Sequence, residues 1–81
     1  MAGREPPDYG TIATAQRVGI SLRQLYYWVH VLRVVRPQIR QHGKRRFRHF
    51  TPADVRALQL VKRRLDQGYT LQAAAKAAKR F

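Results

Sequence analysis

Residues Gly43 to Asp54 read Gly-Lys-Arg-Arg-Phe-Arg-His-Phe-Thr-Pro-Ala-Asp. Lys44, Arg45, Arg46 and Arg48 lie between a turn glycine and a helix start, with Phe47 and Phe50 set among them. A solvated run of charge has no reason to alternate with large apolar rings. A β-ribbon that buries aromatics on one side and offers arginines to a polyanion does. The chemistry indicated is electrostatic, with guanidinium groups neutralising phosphates and releasing their counterions. A second group stands upstream, where Ser21, Arg23, Gln24, Tyr26, Tyr27 and His30 crowd into one short stretch. An arginine placed at a base edge can pair with guanine through two hydrogen bonds, discriminating by about 1–3 kcal/mol. Glutamine can read adenine in the same way, and a tyrosine hydroxyl can hold a phosphate.

The charge balance of the whole chain agrees. Its 81 residues carry a net charge of +13, and the only acids are Glu5, Asp8, Asp54 and Asp66. No acid occurs from Tyr9 to Ala53, a stretch that holds Arg17, Arg23, Arg33, Arg36, Arg40 and the cations of the ribbon. Self-repulsion on this scale destabilises a compact state unless a polyanion offsets it, and nucleic acid is the partner that such a domain fits. A membrane surface would require a long amphipathic helix with opposed cationic and apolar faces, and no segment has that form. No apolar run approaches a membrane span and no signal-like segment is present. The expected location is the cytoplasm, on the nucleoid. Cysteine is absent, so disulfides and thiolate metal sites are excluded. His30, His42 and His49 are too dispersed for a metal set. Without paired carboxylates or a nucleophile beside a base, neither enzymatic activity nor a cofactor is expected.

Placing these groups requires elements. Met1 to Gly10, with two prolines and two glycines, reads as a mobile tail ahead of one domain over residues 11–81. Helix one is expected over Ile12–Val18 with Thr11 as its N-cap, a stripe of Ile12, Ala15 and Val18, and Gly19 as its stop. Ser21 and Gln24 form a capping-box pattern that opens helix two, which runs to about His30. Leu22, Leu25 and Val29 make its buried face, extended by Trp28 or Leu32. Tyr26, Tyr27 and Trp28 span about 200° of helix and cannot all be buried, so Trp28 is assigned to the core. Two short helices joined at Gly19-Ile20 form a helix-turn-helix. Pro37 bars a longer helix. Strands are expected over Gln38–Gln41 and Arg46–Phe50 around a His42-Gly43-Lys44 turn, with Phe47 and Phe50 anchoring a partly buried ribbon. Thr51-Pro52 opens helix three, which extends to about Gln67 on a stripe of Val55, Leu58, Val61 and Leu65. Thr70 caps helix four, whose apolar positions are Leu71, Ala74, Ala75 and Ala78, with Phe81 as an extension. The fold class is mainly α with a small β-hairpin, a winged helix-turn-helix followed by two further helices.

In this order the chain resembles the DNA-binding domain of the MerR family of bacterial transcription regulators. Gly19-Ile-Ser-Leu-Arg-Gln-Leu-Tyr-Tyr-Trp28 is similar to the family's Gly-Val-Ser-x-Arg-Thr-Leu-Arg-Tyr-Tyr/Trp segment. Pro37 looks like the proline ahead of the wing. Phe47-Arg-His-Phe-Thr-Pro-Ala-Asp-Val55 is similar to Tyr-Arg-x-Tyr-Ser-x-x-Asp-Val/Leu, and Val61 to Leu71 is similar to Ile-x-x-Leu-x-x-x-Gly-x-Ser-Leu. The resemblance spans about residues 11 to 78. It implies that helix two enters the major groove and that the wing lies on flanking backbone or minor groove. It also implies that Arg23 and Tyr27 face DNA and that Arg48 is the wing arginine. Tyr26 departs from a usual arginine, Val29 from a usual acid, and Arg33 falls where a glycine is common. Family members continue into a dimerising coiled coil and an effector domain, neither of which appears before Phe81. Either an isolated N-terminal domain or a short stand-alone protein is therefore expected, monomeric alone and multivalent on DNA or through a C-terminal region.

The expected function is sequence-specific binding of double-stranded DNA in transcription control, as repressor or activator, with RNA polymerase as a further contact. Arg17, Arg40 and Arg63 are supplementary DNA-binding candidates. Two alternatives stand beside it. One is an excisionase-like or architectural protein assembling on repeated sites. The other is a basic surface captured by an acidic antirepressor.

Overall fold

The computed structural model describes residues 9–79, the His42 side chain apart. In chain order the elements are α1 (Thr11–Val18), α2 (Leu22–His30), β1 (Gln38–His42), β2 (Arg45–His49), α3 (Pro52–Asp66) and α4 (Leu71–Ala78). This is the expected winged helix-turn-helix. Helix α1 packs against α2, α3 and β2, while α4 packs along α3.

Local chemistry explains most of the boundaries. Helix α2 begins with a reciprocal capping box, in which the Ser21 hydroxyl accepts the Gln24 N–H and Gln24 Oε1 accepts the Ser21 N–H. Helix α3 begins the same way, with Thr51 and Asp54 exchanging the equivalent bonds and proline at the first turn. Each box satisfies two backbone N–H donors that would otherwise lack partners at a helix start. Thr70 caps α4 through the Ala73 N–H. Between α1 and α2, Gly19 adopts φ 82°, a left-handed conformation that glycine takes without a steric penalty.

The core is one cluster. Leu25, Trp28 and Val29 of α2, Ala15 and Val18 of α1, Val55, Leu58 and Val61 of α3, and Ala74, Ala75 and Ala78 of α4 are all buried in it. The small side chains of α4 allow its backbone to lie close to α3. Trp28 is the interior member of the aromatic triplet, and Tyr26 and Tyr27 are exposed, as the helical arc requires.

Several expectations are corrected. The N-cap of α1 is Gly10 rather than Thr11, because the Thr14 N–H bonds to the Gly10 carbonyl one residue earlier. Ile12 and Leu22, expected on buried faces, are exposed, Ile12 at 63%. Both stand in the first turn of a helix, where the Cα–Cβ bonds tilt toward the N-terminus and carry the side chain past the end of the packed surface. The hairpin turn is Gly43-Lys44, flanked by the His42–Arg45 pair. Gly43 at φ 63° supplies the left-handed residue that a two-residue loop needs. Strand β2 runs from Arg45 to His49, so Phe50 lies outside the ribbon. Phe50 is fully buried, as expected of an anchor, but Phe47 is 42% exposed. Three residues farther along the strand, Phe47 stands about 10 Å from Phe50, beside the first turn of α1 rather than over the core.

The fold also begins earlier than expected. Tyr9 is only 6% exposed, and its N–H and carbonyl pair with the carbonyl and N–H of Phe50 at 2.7 Å each. The rest of the expected tail, residues 1–8, and Phe81 lie outside the described residues. Beyond α2 the chain reverses through Arg33, whose φ of 54° makes it the one non-glycine in left-handed backbone among the described residues. The Val34 N–H then returns to the Trp28 carbonyl, which brings Val34 and Val35 into the core. That backbone costs a β-carbon-bearing residue about 1–2 kcal/mol, against the lower unfolded-state entropy that it has relative to glycine. Arg33→Gly is therefore expected to raise unfolding stability by up to about 1 kcal/mol, read as a higher urea midpoint at unchanged slope. A lower midpoint would show that the arginine side chain stabilises the fold.

Candidate nucleic-acid interface

The α2 capping box and the Leu25, Trp28 and Val29 face together set which side of α2 looks outward. Arg23, Tyr26, Tyr27 and His30 recur at i, i+3, i+4 and i+7, an arc of about 100° opposite the buried side chains. All four are exposed. Ser21 and Gln24 stand at the helix start and are engaged with one another. Gln24 Oε1 already accepts the Ser21 N–H. Bidentate reading of adenine uses the amide's acceptor and donor together, so the cap competes with it for the Gln24 side chain.

The wing register divides its cations. Directly opposed residues share a face of an antiparallel pair. Arg48 is opposite Ile39 and Arg46 is opposite Gln41, on one face. Arg45 and Phe47 are on the other, where Phe47 is opposite Arg40. Lys44 is exposed in the turn itself. The Arg48 guanidinium lies 5.3 Å from the centroid of the Tyr26 ring, and His30 stacks on the same ring at 5.5 Å and 16°. A cation over an aromatic face is worth about 0.5–1 kcal/mol at an exposed site. These contacts join β2 to the outward face of α2. The same region forms a groove that Tyr26 shares with Arg46, Phe47, Arg48 and the first turn of α1.

Of the supplementary candidates, Arg40 belongs to the wing face opposite Arg48, where its guanidinium donates to Gln38 Oε1 at 3.4 Å. Arg17 is on α1 with its guanidinium 4.6 Å from the Tyr9 ring centroid. Arg63 is on the outer side of α3, and it lines a separate groove that none of the α2 or wing candidates reaches. Ile12, expected in the buried stripe of α1, is the further residue of this surface. Its exposed side chain lines the groove beside Tyr26 and Phe47, and its place in an apolar stripe concealed that.

The two acids among the described residues do not oppose this surface. Asp54 caps α3, and Asp66 accepts from Lys62 at 2.7 Å one turn away on the same helix. The basic face therefore keeps its charge, and the acids stabilise α3 locally. Ser21→Ala is expected to lower unfolding stability by about 1 kcal/mol, with a smaller loss for Gln24→Ala, as read by chemical denaturation. Full stability in both variants would show that the box does not hold α2 in place.

The family model described as MerR HTH family regulatory protein matches residues 12–80. No curated protein matches the chain.

Proposed function

The chain belongs to the MerR HTH family of DNA-binding transcription regulators, and on that premise we propose that it binds double-stranded DNA sequence-specifically, with α2 in the major groove. The observation that carries this reading is the contact of Arg48 with Tyr26, which joins the wing to the outward arc of α2. In this reading Arg23 meets base edges from the first turn of α2, and the Tyr27 hydroxyl donates to a phosphate. The wing cations Lys44, Arg45, Arg46 and Arg48 lie along flanking backbone or minor groove. Phosphate contacts set the register and base contacts select the sequence. Arg17, Arg40 and Arg63 add electrostatic attraction at the margins.

One such module offers few base contacts, so useful affinity comes from a second half-site, a neighbour on DNA or a further region of chain. A footprint that reports half-site spacing tests the whole proposal. A fixed spacing near one helical turn or a multiple of it is the expected result. Cooperative filling of direct repeats would instead support an excisionase-like assembly.

Two substitutions separate the roles. Arg48→Ala is expected to weaken specific and random duplexes alike and to reduce the salt slope of log K by about 0.9. An unchanged slope in salt-dependent titrations would remove Arg48 from the phosphate contacts. Arg23→Ala is expected to relax preference at a single base step by about 1–3 kcal/mol, measured by competition between single-base variants of the site. Uniform weakening across those variants would demote Arg23 to a backbone contact.

A further inference from the structure

On another part of the surface, a groove of about 1030 Å³ runs between α3, the segment after α2 and the last turn of α4. It shares no residue with the groove between α1 and the wing. Its α3 wall is a second helical stripe beside the core stripe. Ala53, Ala57 and Leu60 follow the i, i+4, i+7 spacing, flanked by Arg56 and Arg63. Across from them stand Arg33, Val34, Val35 and Arg36. We propose that this groove docks an acidic amphipathic helix of a partner protein.

Two observations carry the proposal. The first is charge complementarity around an apolar floor. Arg33, Arg36, Arg56, Arg63 and Lys79 surround it, and the single acid present, Asp54, has its carboxylate engaged in the α3 cap. Phosphates alone would pair with the rim and leave the accessible apolar stripe of Ala53, Ala57 and Leu60 unmatched. A helix with carboxylates flanking an apolar row answers both parts of the surface. The second observation is Arg33 itself. Its φ of 54° is conformationally costly for any residue with a β-carbon, and such backbone outliers cluster where a side chain serves binding rather than stability. Here the side chain so placed is a cation on the groove wall. From Ala53 to Arg63 the groove follows about 15 Å of helix, which matches about three turns of partner.

The probe is a fluorescein-labelled peptide of about fourteen residues, with leucines on one helical face and glutamates elsewhere. The control is a peptide of the same composition with the leucines dispersed around the helix. Anisotropy is measured with the whole chain in roughly 0.15 M salt, first free and then saturated with a random-sequence duplex that occupies the DNA-binding face. The amphipathic peptide is expected to bind at least about tenfold more tightly than the control and to remain bound in the presence of duplex. Arg56→Ala and Arg33→Gly are each expected to weaken it about two- to fivefold. Arg33→Gly is expected to do so without loss of folding stability, a combination that a purely structural role would not produce. Equal binding of the two peptides, displacement of the peptide by duplex, or indifference to both substitutions would overturn the proposal. So would a loss of duplex affinity in Arg56→Ala matching that of Arg48→Ala, which would make the groove a phosphate surface.

Discussion

Phe50 is the joint through which the wing and the helices hold one another. It follows the last residue of β2 and precedes Thr51, the cap of α3. Its ring is fully buried, and its backbone is paired on both sides with Tyr9, just ahead of α1. Ribbon, first helix and third helix therefore meet at one residue. A two-stranded ribbon of five residues a side has little independent stability in water. Here its base is held by the Phe50 ring in the core and by the backbone bonds to Tyr9. Without that attachment Arg48 would have no defined position relative to α2.

Electrostatics pulls the other way. A net charge of +13 raises the energy of any compact state, and the described acids are placed where they relieve little of it. Asp54 sits at the positive end of the α3 dipole, and Asp66 pairs with Lys62 near the other end of the same helix. Among the described residues, neither the outward face of α2 nor the wing carries a carboxylate. There Tyr26 stands beneath Arg48, and elsewhere Tyr9 stands beneath Arg17 of α1 and Tyr69 beneath Arg64 of α3. An aromatic face attracts a guanidinium without neutralising it, so these arginines are positioned and still carry full charge toward an anion.

The fold was legible wherever a local rule is strong. The Ser21–Gln24 box, the Thr51-Pro52 start, the Gly19 stop and the helical stripes of α3 and α4 each follow from neighbours in sequence, and each is found where its residues place it. Errors gathered where the answer lies in what a side chain meets across the fold. Ile12 and Leu22 have the right period but overhang their helix starts. Phe47 has an anchor's chemistry, yet it stands too far along the ribbon to reach the core. Tyr9 sits among prolines and glycines that suggest a loose tail, and only the distant Phe50 gives it a place.

The candidate interface divides in the same way. Sequence alone determined that the chain is basic, that acids are missing from Tyr9 to Ala53, and that Arg23, Tyr26, Tyr27 and His30 lie off the buried face of α2, because charge and helical period are properties of the chain itself. Tertiary structure decided the rest. It set Arg48 over Tyr26, brought Arg40 of β1 onto the ribbon face that carries Arg45 and Phe47, and turned Arg33 through left-handed backbone toward a second groove. Those arrangements depend on strand register and on contacts between residues far apart in sequence, and no local periodicity encodes either.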